Sequence, residues 1–224
     1  MNKYIIAVDG PSAAGKSYLS KKISEILNII YIDTGAMYRA VALYFMQNNV
    51  DMENDVEVEK ALNNIEIKFK RTEGNLHIFL NNIDVSSDIR TEKIGMMASK
   101  VSAIKKVRYD MIDRQRKLAE NDSVILDGRD IGSVVFPNAD LKIYLTADEN
   151  ERAKRRRIDL KAKGIECEHE TVLEDIKQRD YNDINKPISP LIKTDDAVLM
   201  DTTNMTVEEE VEEVIRLLKE RDVI

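Results

Sequence analysis

The fold of this chain is decided by a short apolar run and the glycine-rich loop that follows it, Ile5-Ile6-Ala7-Val8-Asp9-Gly10-Pro11-Ser12-Ala13-Ala14-Gly15-Lys16-Ser17. The loop matches G-x-x-x-x-G-K-[ST] and stands between a predicted strand and a predicted helix, where that pattern functions. Gly10 and Gly15 let the backbone aim its N–H groups at phosphate oxygens, and the helix adds partial positive charge. Lys16 is placed to reach the phosphates and Ser17 to help hold magnesium. We predict a phosphate-binding loop; the alternative is a glycine turn beside a solvated lysine.

Short apolar runs alternate with stretches of helical period along the chain. Such runs are typical of parallel strands that helices cover on both faces. The predicted strands are Tyr4–Val8, Ile29–Ile32, Val124–Leu126, Leu141–Leu145 and Ala197–Met200, and the predicted amphipathic helices include 104–120, 148–163, 170–182 and 206–221. The pattern predicts an α/β protein with a five-stranded parallel sheet.

Residues 55–100 interrupt this alternation. Ile65, Ile67 and Phe69 alternate with charged residues, a Glu73-Gly74-Asn75 turn follows, and Leu76, Ile78 and Leu80 alternate again. This pattern predicts an antiparallel hairpin inserted into the α/β chain. Taken alone, the hairpin could equally be a surface decoration.

The chain of 224 residues is acidic and poor in histidine and cysteine. Its 34 Lys and Arg against 41 Asp and Glu give a net charge of -7, so it lacks the positive field of a sequence-independent nucleic-acid binder. The first apolar run is too short for a signal peptide, and no run could span a membrane. One cysteine, Cys167, and two histidines exclude an internal disulfide and a zinc cluster, and argue against nucleophiles paired with histidine. We expect a cytoplasmic protein that binds neither membranes nor nucleic acid polymers.

Four blocks of sequence together resemble the bacterial cytidylate kinases, which are nucleoside monophosphate kinases. They are Ala7-Val8-Asp9-Gly10-Pro11-Ser12, Asp33-Thr34-Gly35-Ala36-Met37-Tyr38-Arg39, Asp127-Gly128-Arg129-Asp130-Ile131-Gly132, and Arg179-Asp180 with Asp183. The resemblance runs over essentially the whole chain. It implies the fold of the P-loop nucleoside triphosphate hydrolases in a single kinase domain, residues 1–224. Within that domain it implies a core of 1–54, 101–150 and 184–224, a monophosphate-binding insert at 55–100 and a mobile helical lid at 151–169.

The resemblance implies phosphoryl transfer from ATP to CMP or dCMP, with Mg²⁺ bridging the donor phosphates. The acceptor oxygen is already ionised, so the site needs aligned cations rather than a general base. The implied ATP site is Gly10, Pro11, Ser12, Ala13, Ala14, Gly15, Lys16, Ser17 and Tyr18, with Ser17 also at the metal. The implied catalytic cations are Lys16, Arg129, Arg152 and Arg156. The implied acceptor site is Thr34, Tyr38, Arg39, Ser99, Arg108, Arg129, Asp130, Arg179, Asp183 and Lys186.

The family roles on the acceptor phosphate and base have simpler alternatives. By resemblance, Arg39, Arg129 and Lys186 hold the acceptor phosphate, although a single arginine is ordinarily a solvated surface charge. Asp130 is the candidate that excludes UMP, because a carboxylate accepts a hydrogen bond from the cytosine amine and repels the uracil carbonyl. Ser99 is expected to read the base together with Arg108, but both would also suit an ordinary helix face.

Two further assignments lie in the C-terminal half. Arg179 and Asp183 are expected on the sugar, and an intrahelical ion pair explains the same spacing. Residues 152–157 carry five positive charges that could close over ATP, and Arg152 and Arg156 share one helical face. Most of these charges are expected to be solvated.

The chain departs from the family pattern at three positions. Lys186 stands where arginine is usual, which replaces a bidentate fork by a point charge. Thr34 replaces serine and keeps the hydroxyl. Tyr18 replaces threonine, which puts a contact to the α phosphate in question.

Two other functions remain open at this point, besides the expected monomeric cytidylate kinase. The phosphate loop does not identify the acceptor, so the chain could be a kinase for UMP or another small acceptor. It could also be a nucleotide-dependent binding module. Asn185-Lys186-Pro187-Ile188 lacks the aspartate of a guanine-reading motif, which counts against a GTPase.

Overall fold

The computed structural model describes residues 3–72, 75–162 and 164–224, and these residues form two sheets. The strands are β1 (Ile5–Asp9), β2 (Ile30–Asp33), β3 (Ile67–Thr72), β4 (Asn75–Leu80), β5 (Ile83–Asp84), β6 (Val124–Gly128), β7 (Leu141–Thr146) and β8 (Val198–Asp201). The larger sheet has the order β2-β6-β1-β7-β8. Strand β1 runs parallel to its neighbours β6 and β7, and β7 runs parallel to β8. The predicted five-stranded sheet is confirmed.

The four helices with predicted ranges, 104–120, 148–163, 170–182 and 206–221, are present with ends that differ by at most two residues. The helices are α1 (Lys16–Leu27), α2 (Thr34–Gln47), α3 (Asp55–Asn63), α4 (Glu92–Val101), α5 (Lys105–Leu118), α6 (Glu149–Ala162), α7 (His169–Ile184) and α8 (Val207–Glu220). The sequence pattern does not predict α3, nor a π-helical turn at Ile131–Val135. None of the helices in the described ranges is both long and apolar enough to cross a membrane.

Local side-chain contacts explain where two helices begin. Asp33 caps α2, because its carboxylate accepts the N–H of Ala36 at 2.8 Å. Thr206 and Glu209 form a reciprocal capping box at the start of α8. Both caps satisfy N–H groups that the helix itself leaves without partners.

The first compact unit extends from the start of the described chain to Tyr31 and from Asn121 to Ile224. Helix α1 packs on β6 and α8, and α6 packs on α7. The interior of the parallel sheet is apolar and at most 1% exposed at Ile6, Val8, Ile125, Leu126 and Ile143. This burial on both faces explains why the strands read as continuous apolar runs rather than as alternating ones.

The second compact unit extends from Ile32 to Glu120. In it α2 packs on α4, and α3 on α5. The smaller sheet has the order β3-β4-β5, and the antiparallel β3–β4 register pairs Ile67 with Leu80 and Phe69 with Ile78. The predicted antiparallel hairpin is therefore present, with a short third strand. Its expected turn at Glu73 and Gly74 lies outside the described residues, and the boundaries of the insert stay a prediction.

Candidate active site

The phosphate loop, residues 10–17, connects β1 to α1 in the first unit. A Cβ atom on Gly10 would lie 2.0 Å from the carbonyl oxygen of Leu145. Only glycine therefore lets the loop leave β1 so close to β7. Gly15 has a φ of 95°, in the left-handed region, and α1 begins at the next residue. Both glycines of the motif are thus required by the backbone itself.

Lys16 folds back over the loop that precedes it. The residue is 6% exposed, and its Nζ donates to the carbonyl oxygen of Pro11 at 2.6 Å. Burial lowers the pKa of Lys16, the nearby Arg129 guanidinium lowers it further, and three neighbouring carboxylates oppose both effects. A bound polyphosphate would favour the charged ammonium, so binding of an anion and protonation of Lys16 support each other.

Ser17 lies against a carboxylate at the end of β6. Its Oγ donates to Asp127 Oδ2 at 2.7 Å, and the Tyr31 hydroxyl donates to Asp127 Oδ1 at 2.8 Å. A hydroxyl beside a carboxylate offers the hard oxygen ligands that Mg²⁺ prefers, and P-loop enzymes hold the metal in this way. Asp127 was not among the predicted site residues. The sequence feature that could have identified it is its position directly after the apolar run Val124–Leu126.

Arg129, Asp183 and Lys186 form one ion cluster next to the phosphate loop. Arg129 Nε lies 2.6 Å from Asp183 Oδ2, and Lys186 Nζ lies 2.7 Å from Asp183 Oδ1. Arg129 Nη2 also donates to Ser12 Oγ at 3.3 Å. Burial alone would raise the pKa of Asp183, but the charges of Arg129 and Lys186 hold it at about 2. The structure therefore brings together three of the predicted acceptor-site residues, with Lys186 making a point-charge contact.

Arg152, predicted as a catalytic cation of the lid, is buried against the loop. It is 4% exposed, and its Nη1 donates to the Ser12 carbonyl oxygen at 3.0 Å and to Asp180 Oδ2 at 2.5 Å. Arg156, one turn later on α6, is half-buried. Contact of either arginine with a transferred phosphoryl group stays a prediction.

Asp130 lies where β6 passes into the π-helical turn, and it is 3% exposed. That turn is fixed by Asp9 at the end of β1, whose two carboxylate oxygens accept the N–H groups of Ile131 and Gly132 at 2.8 and 2.7 Å. Burial raises the pKa of Asp9, and these two N–H groups oppose the rise. Arg179, on α7, is exposed. Asp9 was expected only as part of a motif, and the structure assigns it the task of shaping the turn beside Asp130.

In the second unit, Tyr38 and Arg108 are in direct contact. Arg108 Nη1 donates to the Tyr38 hydroxyl at 3.0 Å, and its guanidinium lies 5.5 Å from the Tyr38 ring centre. Burial raises the pKa of Tyr38, while Arg108 and a hydrogen bond from Gln115 lower it. Gln115, which sequence reasoning missed, is 2% exposed and lies two turns beyond Arg108 on the buried face of α5.

Four further predicted residues differ in how far they are exposed. Thr34 is 3% exposed, Arg39 is half-buried and Ser99 is exposed. The Tyr18 side chain is 56% exposed, and Lys22 Nζ lies 5.9 Å from its ring centre. The roles of these four residues toward a nucleotide stay predictions.

Comparison with known protein sequences matches this chain to cytidylate kinases. The sequence model of the cytidylate kinase family matches residues 6–220. The cytidylate kinase of Fusobacterium nucleatum subsp. nucleatum is 46% identical over 93% of this chain and 94% of its own length. That of Alkaliphilus oremlandii is 46% identical over 96% and 97% of the two chains. The bifunctional pantoate ligase/cytidylate kinase of Prochlorococcus marinus subsp. pastoris is 43% identical, and the aligned part is 42% of its length.

A solved structure shares the fold at low sequence identity. An uncharacterized protein from Eubacterium ventriosum aligns over 97% of this chain and 99% of its own, with a TM-score of 0.55 and 12% identity. At that identity the likeness concerns the fold alone.

Proposed function

The chain belongs to the cytidylate kinase family, and on that premise we propose that it transfers a phosphoryl group from ATP to CMP or dCMP. The products are ADP and CDP or dCDP. The observation that carries the proposal is the position of Arg129, whose guanidinium contacts Ser12 of the phosphate loop and Asp183 of α7 together. Arg129 is therefore next to the loop proposed to bind the donor phosphates and also belongs to the ion cluster proposed to bind the acceptor.

On the donor side, the phosphate loop supplies backbone N–H groups and Lys16 supplies a buried positive charge. Ser17 and Asp127 fit Mg²⁺ through a hydroxyl and a carboxylate. When bound, Mg²⁺ would supply positive charge that offsets the negative charge of the donor polyphosphate. Tyr31, the second donor to the Asp127 carboxylate, fixes its orientation.

On the acceptor side, Arg129 and Lys186 provide positive charge for the monophosphate. Each already contacts the Asp183 carboxylate, so their positions are set before any nucleotide binds. Asp183 remains ionised at neutral pH, because its pKa is about 2. It therefore holds both cations and keeps oxygens available as acceptors for a sugar hydroxyl.

The transfer needs no protein base, because the attacking oxygen of a monophosphate is ionised at neutral pH. The residues align two polyanions and offset their repulsion, which is largely an electrostatic task. Arg156 is the lid residue proposed to add charge as the lid closes over the donor. Arg152 already lies against the phosphate loop and is proposed to supply its charge from that position. We also propose that the enzyme works as a monomer in the cytoplasm, in keeping with its acidic composition and single cysteine.

The decisive experiment measures ADP release from ATP with CMP, dCMP, UMP, AMP and dTMP in turn. We expect turnover with CMP and dCMP, and little with the other acceptors. Equal or faster turnover of UMP would overturn the cytosine preference and leave a monophosphate kinase. ATP binding without acceptor-stimulated turnover would instead favour a binding module.

The preference for cytosine can be tested with a variant of Asp130. Asp130→Ala should lower the ratio of kcat/KM for CMP to that for UMP by at least about 10-fold, since one discriminating hydrogen bond is lost. A ratio that stays at the wild-type value would remove Asp130 from base recognition.

A further inference from the structure

One ion pair contacts both the backbone N–H and the backbone carbonyl oxygen of Ser12, the third residue of the phosphate loop. Its N–H donates to Asp180 Oδ1 at 2.9 Å. Its carbonyl oxygen accepts from Arg152 Nη1 at 3.0 Å, and the same guanidinium nitrogen contacts Asp180 Oδ2. The loop backbone is therefore enclosed between a carboxylate from α7 and a guanidinium from α6.

This pair is buried and well supplied with hydrogen bonds. Asp180 is 8% exposed and Arg152 is 4% exposed. Arg152 Nε also donates to the carbonyl oxygen of Ala147 at 2.9 Å. Burying two charges costs free energy that their mutual attraction roughly offsets, so such a pair contributes little net stability. A role in placing the loop accounts for the arrangement better than stability does.

A second observation connects the same two helices to the loop. Ala13, the next residue, packs against the apolar cluster of Ala153, Val172 and Ile176 between α6 and α7. Ala13 has a φ of 57°, a left-handed conformation that costs a residue other than glycine about 1 kcal/mol. Such a conformation persists only where its surroundings hold it, and here α6 and α7 provide those surroundings.

We propose that Asp180 is a positioning residue, which works with Arg152 to fix the backbone of Ser12 and Ala13 so that the loop is shaped for nucleotide phosphate before a ligand arrives. The proposal rests on the proposed function in naming a nucleotide as the ligand. It assigns Asp180 no contact with the reacting atoms. Because α6 and α7 hold the loop, any displacement of these helices changes the affinity of the loop for phosphate.

The test compares two aspartates of α7. Asp180→Asn keeps an acceptor oxygen and the side-chain shape but removes the charge opposite Arg152. Asp175→Asn makes the same change at an exposed position of the helix and serves as the control. Calorimetric titration with MgADP should show about 10-fold weaker binding for Asp180→Asn, and binding within about twofold of wild type for the control.

Steady-state kinetics separate positioning from general loss of structure. In Asp180→Asn, KM for ATP should rise at least about threefold more than KM for CMP, since the loop binds the donor. Unchanged MgADP affinity in a folded variant would overturn the proposal. Equal losses toward ATP and CMP, with a lower melting temperature, would identify an ordinary structural ion pair and overturn it as well.

A measurement on the wild-type protein covers the case in which the variant does not fold. Without nucleotide, the Ser12 amide should exchange with solvent about 100-fold slower than an open loop amide, because it donates to a buried carboxylate. Fast exchange at Ser12 would overturn the proposal. Wild-type protein that binds MgADP without CMP-stimulated turnover would refute the proposed function and leave the positioning role of Asp180 intact.

Discussion

Replacing Glu210 by glutamine should change how stability depends on pH. Glu210 lies on α8, is 4% exposed and hydrogen-bonds the side chain of Thr202, which is fully buried. Arg155 donates to the Thr202 hydroxyl at 3.0 Å and to the Thr202 carbonyl oxygen at 2.7 Å. Burial raises the pKa of Glu210 from 4.5 to about 7, although the charge of Arg155 and the Thr202 hydrogen bond oppose the rise.

The sign of the effect follows from proton binding in the two states. Between pH 4.5 and about 7 the folded protein keeps the Glu210 proton, and the unfolded chain has released it. The unfolded state then binds fewer protons, so stability falls as pH rises through this window and levels off above it. At about 1.4 kcal/mol for each pKa unit, the shift corresponds to about 3 kcal/mol.

Urea unfolding from pH 4.5 to 8 measures this contribution. Glutamine keeps the shape and the hydrogen-bonding capacity but does not ionise. The free energy of unfolding of Glu210→Gln minus that of wild type should rise from near zero at pH 4.5 to about 3 kcal/mol at pH 8. The control Glu212→Gln, at an exposed position of α8, should differ from wild type by a constant of about 0.5 kcal/mol or less. Parallel curves for wild type and Glu210→Gln would refute the reasoning.

Three further outcomes are expected. Gly10→Ala would place a Cβ 2.0 Å from the Leu145 carbonyl oxygen, so the free energy of unfolding measured in urea should fall by at least about 2 kcal/mol. In the control Gly95→Ala the new Cβ meets nothing within 4 Å, so the free energy of unfolding should not fall. Lys186→Ala should raise KM for CMP at least about 10-fold and KM for ATP much less, because Lys186 pairs with Asp183 in the ion cluster that we propose binds the acceptor; parallel increases would place Lys186 elsewhere. Chelation of divalent cations should abolish CMP-dependent ADP release, and added Mg²⁺ should restore it; full turnover in chelator would argue against metal use.

Much of the donor site could be predicted because its signals are local. The residues from Gly10 to Ser17 carry the turn, the charge and the start of the helix within one contiguous stretch. At Gly10 a side chain would collide with the Leu145 carbonyl oxygen, and Gly15 has a φ of 95°, which L side chains rarely adopt. Local spacing also predicted the parallel strands and the antiparallel hairpin.

The rest of the site depends on residues far apart in the chain. Ser12 and Asp180 are 168 residues apart, and Ser17 and Asp127 are 110 apart. No spacing rule connects such pairs, because the contact exists only after the strands are ordered in the sheet and the helices are packed. Glu210 is a comparable case, since one more glutamate in an acidic helix becomes unusual only when it is buried.

The sequence by itself determined the fold class and the phosphate loop, because backbone turns and apolar periodicity act over a few neighbouring residues. Its motif blocks also carried the resemblance to the cytidylate kinase family. Tertiary structure alone decided which charges meet. It placed Asp183 between Arg129 and Lys186, and enclosed the Ser12 backbone between Asp180 and Arg152. The physical reason is that an electrostatic interaction depends on distance and burial, and folding sets both.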